Sequence, residues 1–232
     1  MLQLSVQQLI VLHQLTDSMF PSGAFVHSEG LESYVQSGAI ANPADLERFL
    51  RGRLLNSLAL SDWVATHCAM DMYHQQEMDA LILLDERLTA MKVAYEGREA
   101  SMRIGRQTLR TILVSLPDDF LSDFQLLIRT QSASGHQAIV FGLVCAALDI
   151  EKRATLTTYG YSYVSSQVSA AIKLMRFGQT QAQHLIWTLQ PAIEEAVELA
   201  LQQTIDTMQS FTPALDIRMM QHEYLFRRLF NS

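Results

Sequence analysis

Charge is scarce in this chain. Charged side chains make up 18% of its 232 residues, against about 25% in an average soluble protein, so the solvated surface is thinly charged for its size. Lysine is the rarest charged type: Lys92, Lys152 and Lys173 stand alone, and arginine supplies the remaining positive charge. Planar guanidinium is favoured over ammonium at protein interfaces, so this bias fits either a buried partner surface or the composition of the source genome. With a net charge of −7 and no evident basic stripe to displace counterions from phosphates, the chain is not expected to bind nucleic acid.

Other absences narrow the field further. Two cysteines, Cys68 and Cys145, lie far apart within helical patterns and provide no disulfide framework, which points to a reducing compartment. The longest apolar run, Ala138 to Leu148, falls well short of the ~20 residues that cross a bilayer. Residues 1–10 carry no positive leader region and no small-residue cleavage signal. The expectation is a soluble cytoplasmic protein without membrane contact. No Gly-x-x-x-x-Gly-Lys-Ser/Thr occurs and no lysine follows a glycine, so the chain is not itself a phosphate-loop GTPase. A Gly-x-Ser-x-Gly nucleophile elbow is missing too.

What remains is helical periodicity. Strand-like alternation between paired turn signals is absent, so the fold class is all-α, a single globular helical domain of about ten helices with a C-terminal partner-binding tail. A first helix runs from about Ser5 to Thr16, and Pro21 and Gly23 punctuate the loop that follows. A short helix ends near Gly38. Asn42-Pro43 reads as an N-cap with proline at the first helical position, and Ser61-Asp62 restarts the chain after Leu58. Further helices are expected near 79–94, 97–115, 118–131, 136–149, 152–176 and 179–208, with Pro191 kinking the last. Residues 1–210 form the domain body, and 211–232 its tail.

That tail, Thr212 to Ser232, is rich in apolar and aromatic side chains. Ile217, Met219, Met220, Tyr224, Leu225, Phe226, Leu229 and Phe230 would each gain roughly 1.5–3 kcal/mol from full burial, so the segment should be docked on its own core or on a partner.

Three constellations have the residue types for chemistry. His67, Asp71 and His74 recur at i, i+4 and i+7, which puts two imidazoles and a carboxylate on one helix face beside Cys68; this is a weak metal-ligand candidate, or a set of core-edge side chains. Glu96, Glu99, Arg103, Arg106 and Arg110 share another face, with Glu99 and Arg103 in the favourable ion-pair order; it reads as a solvated charged face. Gly105 lies on the opposite strip, and Gly142 and Gly160 recur elsewhere, each suiting a close helix contact. Asp17 to His27 is a rigid turn, or a loop that presents Phe20 and Phe25 to a partner or His27 as an acid-base group. A hydrolase built on Asp17, Ser18 and His27 would lack an oxyanion-hole motif.

Five segments then stand in a telling order: Gln14 to Glu32, Arg98-Glu-Ala-Ser-Met-Arg-Ile-Gly-Arg106, Gly135-His-Gln-Ala-Ile-Val-Phe-Gly142, Ser169 to Gln179 and His222-Glu-Tyr-Leu-Phe-Arg-Arg-Leu-Phe230. Together they resemble the urease accessory protein UreF family across essentially the whole chain. Ala24 stands where that family often has a second glycine, Glu29 where it often has a small or amide residue, and Arg227 where serine commonly occurs. The resemblance implies an all-α chaperone for nickel insertion, with no reaction and no cofactor of its own, its contact with nickel being indirect. It implies a bridge between the UreD/UreH scaffold protein and the GTPase UreG, acting on apo-urease through the complex, and a homodimer. Alternatives are a GTPase-activating protein for UreG and a direct nickel carrier. By the same resemblance Arg218, Met220, His222, Glu223, Tyr224, Arg228, Leu229 and Phe230 are assigned to scaffold binding. Asp17, Ser18, Phe20, Pro21, Gly23 and His27 match the N-terminal motif and are assigned to shaping the complex.

Overall fold

A computed structural model describes residues 4–24, 27–225 and 228–231. Its described residues form twelve α-helices and no strand. In chain order these are α1 (Val6–Thr16), α2 (Leu31–Gln36), α3 (Pro43–Asn56), α4 (Asp62–Gln75), α5 (Met78–Met91) and α6 (Tyr95–Ile112). They continue as α7 (Asp119–Arg129), α8 (Gln137–Ala147), α9 (Lys152–Leu174), α10 (Gln179–Thr188), α11 (Gln190–Leu201) and α12 (Pro213–His222).

Local chemistry sets several of these boundaries. Ser5 and Gln8 close a capping box at the start of α1, each side chain bonding the other's backbone N–H. Asn42 caps α3 through the Asp45 N–H at 3.0 Å, with Pro43 in the first turn. Asp118 does the same for α7 through the Leu121 N–H at 2.8 Å. One expectation fails. The helix expected over 179–208 is two helices joined at Leu189, and Pro191 lies in the first turn of α11 rather than inside a kink. Its missing N–H falls where no intrahelical partner exists, so proline starts a helix here at no hydrogen-bond cost. After Leu201 the chain turns, and residues 203–212 are not helical.

Two apolar clusters form the core, with α4 between them. Val64, Ala65, Cys68 and Ala69 of α4 join α5, α7 and α8 in the first, together with Leu12, Leu15 and Phe20. Trp63, on the other side of α4, joins α3, α9, α10 and α11 in the second. The pairing of α4 with α8 is the most extensive in the molecule, and it depends on Gly142. A Cβ there would lie 2.2 Å from the Thr66 carbonyl oxygen, so only a hydrogen fits between the two helices. Thr66 ties the same seam by donating its hydroxyl to the Ala138 carbonyl at 3.0 Å. Helix α12 packs on α2 and α6, at the edge of this body.

Candidate functional site

The site is built around Glu32. The backbone enters α2 through two successive left-handed residues, Glu29 (φ 48°) and Gly30 (φ 89°). A side chain other than glycine or asparagine pays for that conformation, which gives a physical sense to the small or amide residue expected at position 29. Glu29 is held there by an ion pair to Arg53 at 2.9 Å. The turn places Glu32 in the first turn of α2, 2% exposed.

The Glu32 carboxylate grips the end of the chain. It accepts from the backbone N–H of Leu229 at 2.8 Å and of Phe230 at 3.1 Å, and its Oε2 lies 3.1 Å from His222 Nε2. His222 is fully buried, and its other nitrogen lies 2.7 Å from Glu96 Oε2 in α6. Arg228 completes the group, donating to Glu96 Oε1 at 2.9 Å and, through its other amino group, to the Glu223 carbonyl. Phe230 sinks into the second apolar cluster, with the Lys173 ammonium 5.7 Å from its ring centre. Met219 closes over Gly30 and Gly97: a Cβ at Gly97 would come within 2.2 Å of Met219 Cε. Three motifs distant in sequence therefore meet here, the N-terminal loop with α2, the start of α6, and the tail.

Among the assigned tail residues the structure draws a clear division. His222 and Phe230 are buried in the chain's own core, Arg218 and Glu223 are half-buried, and Met220, Tyr224, Arg228 and Leu229 are exposed. Arg218 lies over the Tyr34 ring at 5.6 Å. Tyr224 is 86% and Leu229 60% exposed, so large apolar side chains project outward from a segment whose backbone is fixed. Phe226 and Arg227 lie outside the described residues.

The N-terminal motif divides similarly. Phe20 faces inward and belongs to the first apolar cluster, so it is not presented outward. Phe25 lies outside the described residues. Asp17, Ser18, Pro21 and Gly23 are exposed, and Asp17 accepts from the Met19 N–H at 2.7 Å in a local turn. His27 is buried, its Nε2 accepting from Arg103 at 3.1 Å. Burial, with the positive charge of Arg103 and the nearby His222, pushes its pKa down to about 4. Arg103 therefore turns to His27 and forms no ion pair with Glu99.

A second buried carboxylate, Asp85 of α5, was not indicated by the sequence. It accepts from three consecutive backbone N–H groups, those of Ser134, Gly135 (3.0 Å) and His136 (3.1 Å). This pins the loop before α8 against α6, where a Cβ on Gly105 would meet the Gly135 carbonyl at 2.2 Å. His136 bonds Ser101 Oγ at 3.0 Å and Thr89 Oγ1 at 2.9 Å, and burial pushes its pKa down to about 3. A serine beside an imidazole suggests a nucleophile, but the group orienting the ring is a threonine hydroxyl and the ring is a very weak base.

The remaining candidates separate. His67 bonds the Ala200 carbonyl at 3.0 Å, Asp71 pairs with Lys152 at 2.6 Å, and His74 is exposed. Among the described residues no group of three or more His, Cys, Asp or Glu is placed to hold a metal ion. No helix among them is long and apolar enough to cross a membrane. Beneath α12 lies a cavity of about 120 Å³ whose mixed lining includes Arg53, Asp62, Lys92, Tyr163 and Gln167, with Asp62 and Lys92 paired at 2.8 Å.

The UreF family model matches residues 40–190. The protein named urease accessory protein UreF from Actinobacillus pleuropneumoniae serotype 5b (strain L20) is 34% identical over 225 residues, covering 97% of this chain and 99% of its own. Those of the same name from Bacillus sp. (strain TB-90) and Haemophilus influenzae (strain PittEE) are each 32% identical and span 98% of this chain, with 100% and 97% of their own lengths covered.

Proposed function

The chain belongs to the UreF family of urease accessory proteins, and from that premise we propose that it is the adaptor of a nickel-insertion assembly. It bridges the UreD/UreH scaffold and the GTPase UreG, and couples GTP hydrolysis to nickel delivery into apo-urease. The observation that supports this reading is the docked tail. Its backbone is fixed by Glu32 while Met220, Tyr224 and Leu229 project into solvent, and fixed aromatic and aliphatic side chains around an arginine are what a protein interface uses as anchors. The mechanism is positional: holding scaffold and GTPase together lets nucleotide state bias the assembly, provided the GTP-bound and GDP-bound partners bind unequally.

Light-scattering chromatography with the scaffold protein is the test, comparing the native chain with a Tyr224→Ala/Leu229→Ala variant. Both side chains are exposed, so the variant should fold and elute as the native chain does by itself. Loss of the scaffold complex is the expected result; unchanged assembly removes the tail from the interface. The same traces report whether the free chain is a homodimer.

A second reading, a GTPase-activating protein, draws on Arg103, Arg106 and Arg110, which are exposed on one face of α6 and form no ion pair among the described residues. An arginine inserted beside the transferred phosphoryl group accelerates hydrolysis by about 10³–10⁵. Single-turnover hydrolysis by UreG with each arginine replaced in turn separates this reading from the adaptor.

A further inference from the structure

An open groove of about 760 Å³ runs between α6 and α7, rimmed by the Pro21–Gly23 loop. We infer that it is a docking site for an acidic segment of a protein partner. Arg103, Arg106 and Arg110 project from one face of α6 and Arg129 from α7, and all four are exposed. In a chain whose net charge is −7, four guanidinium groups gathered in one groove are a concentration of charge against the overall balance. None of the four forms an ion pair among the described residues. Arg106 donates to the Ser134 carbonyl at 2.7 Å, Arg110 to the Gln107 side chain, and Arg103 to His27, while Arg129 has no bond partner among them.

The bonds at Arg103, Arg106 and Arg110 hold those three forks in place without neutralising them. A preorganised guanidinium loses less side-chain entropy on binding a carboxylate than a free one, and can bind it in a two-pronged geometry. From Arg103 to Arg110 is about 10 Å along the helix axis, the length of three to four extended residues or two turns of an acidic helix. The lining favours a peptide over a phosphate chain, because Gln107 and Gln125 offer amide groups suited to a peptide backbone. The net charge of −7 on the whole chain disfavours nucleic acid as well. This inference does not depend on the adaptor reading, because it names a partner's chemistry and not its identity.

The test is fluorescence anisotropy of the purified full chain with a labelled twelve-residue peptide of three Asp-Glu-Leu-Glu repeats. The controls are a matched Asn-Gln-Leu-Gln peptide and a twelve-nucleotide single-stranded DNA. Arg110→Glu/Arg129→Glu should weaken the acidic peptide at least tenfold, whereas Arg51→Glu on the distant α3 should change it less than twofold. Raising salt from 50 to 300 mM should weaken the native complex severalfold. If the charge reversal unfolds the chain, Arg110→Gln/Arg129→Gln keeps the comparison, with at least a threefold loss expected. Equal binding by native and variant chains, or no binding to the native chain, overturns the inference. Tighter binding of the oligonucleotide than of the acidic peptide overturns it in favour of a phosphate ligand. Neither of those results bears on the tail-directed assembly test.

Discussion

The α4–α8 seam and the C-terminal clamp are both buried, but they are held by opposite means. The seam is mainly apolar side chains packed around Gly142, tied by the Thr66 hydroxyl, and shape dominates its stability. The clamp consists of two glutamates, a histidine and an arginine around a backbone, and buries only a few apolar side chains, Leu215 and Phe230 among them. Shape-dependent packing fails all at once when volume changes, whereas a polar clamp can open locally while the rest stays folded. The molecule thus has a rigid body and a separately releasable end.

The most damaging change should be Gly142→Val. Its side chain would overlap the Thr66 carbonyl, at a cost of about 3 kcal/mol or more, and urea titration should show loss of the whole cooperative transition at low denaturant. Glu32→Ala should follow, removing two backbone bonds and leaving His222 facing a single carboxylate. A loss of roughly 3 kcal/mol is expected at the clamp. Hydrogen exchange should show the amides of Leu229 and Phe230 unprotected while those of α4 and α8 stay protected. If the α4 and α8 amides lose protection equally, the two regions are one cooperative unit and the comparison fails.

Acid should act on both regions, by way of His136 beside the seam and His27 beside the clamp. Both rings are held neutral in the fold, with pKa values near 3 and 4, whereas the unfolded chain protonates near 6.5. Unfolded chains therefore take up protons first as pH falls, so the stability these rings contribute is complete above 6.5 and is lost progressively below it. From pH 6.5 to 5 the loss should be about 1.5 kcal/mol per histidine. His27→Gln should make the fall less steep by one such share, measured as denaturation midpoint against pH. The smallest effect belongs to Arg228→Ala, an exposed partner of Glu96, which should cost less than about 1 kcal/mol and shift the melting temperature little.

Much of this architecture was legible in the sequence. Helix periodicity and the cap at Asn42 are local signals, and they place α3 and α7 to within two residues. The glycines at 105 and 142 were readable as close contacts because glycine is costly inside a helix without a reason. The split at Leu189 is hidden in the sequence because a proline in a first turn and a proline at a kink look alike until the helix ahead of it is seen to end. Neither Glu32 nor Asp85 announced its role. A carboxylate that serves a backbone 197 and 198 residues away leaves no pattern in its own neighbourhood, and only the fold brings Leu229 and Phe230 to it. The tail's need for burial was readable from its apolar content, but the division between inward Phe230 and outward Leu229 was not.

Glu32 holds the tail by main-chain N–H groups, and every residue type except proline offers one. The grip is therefore indifferent to which side chain stands at position 229. Mutation can rewrite that outward residue, and Tyr224 with it, while the segment stays seated on the same carboxylate. An accessory protein built this way can follow changes in a partner's surface without renegotiating its own fold.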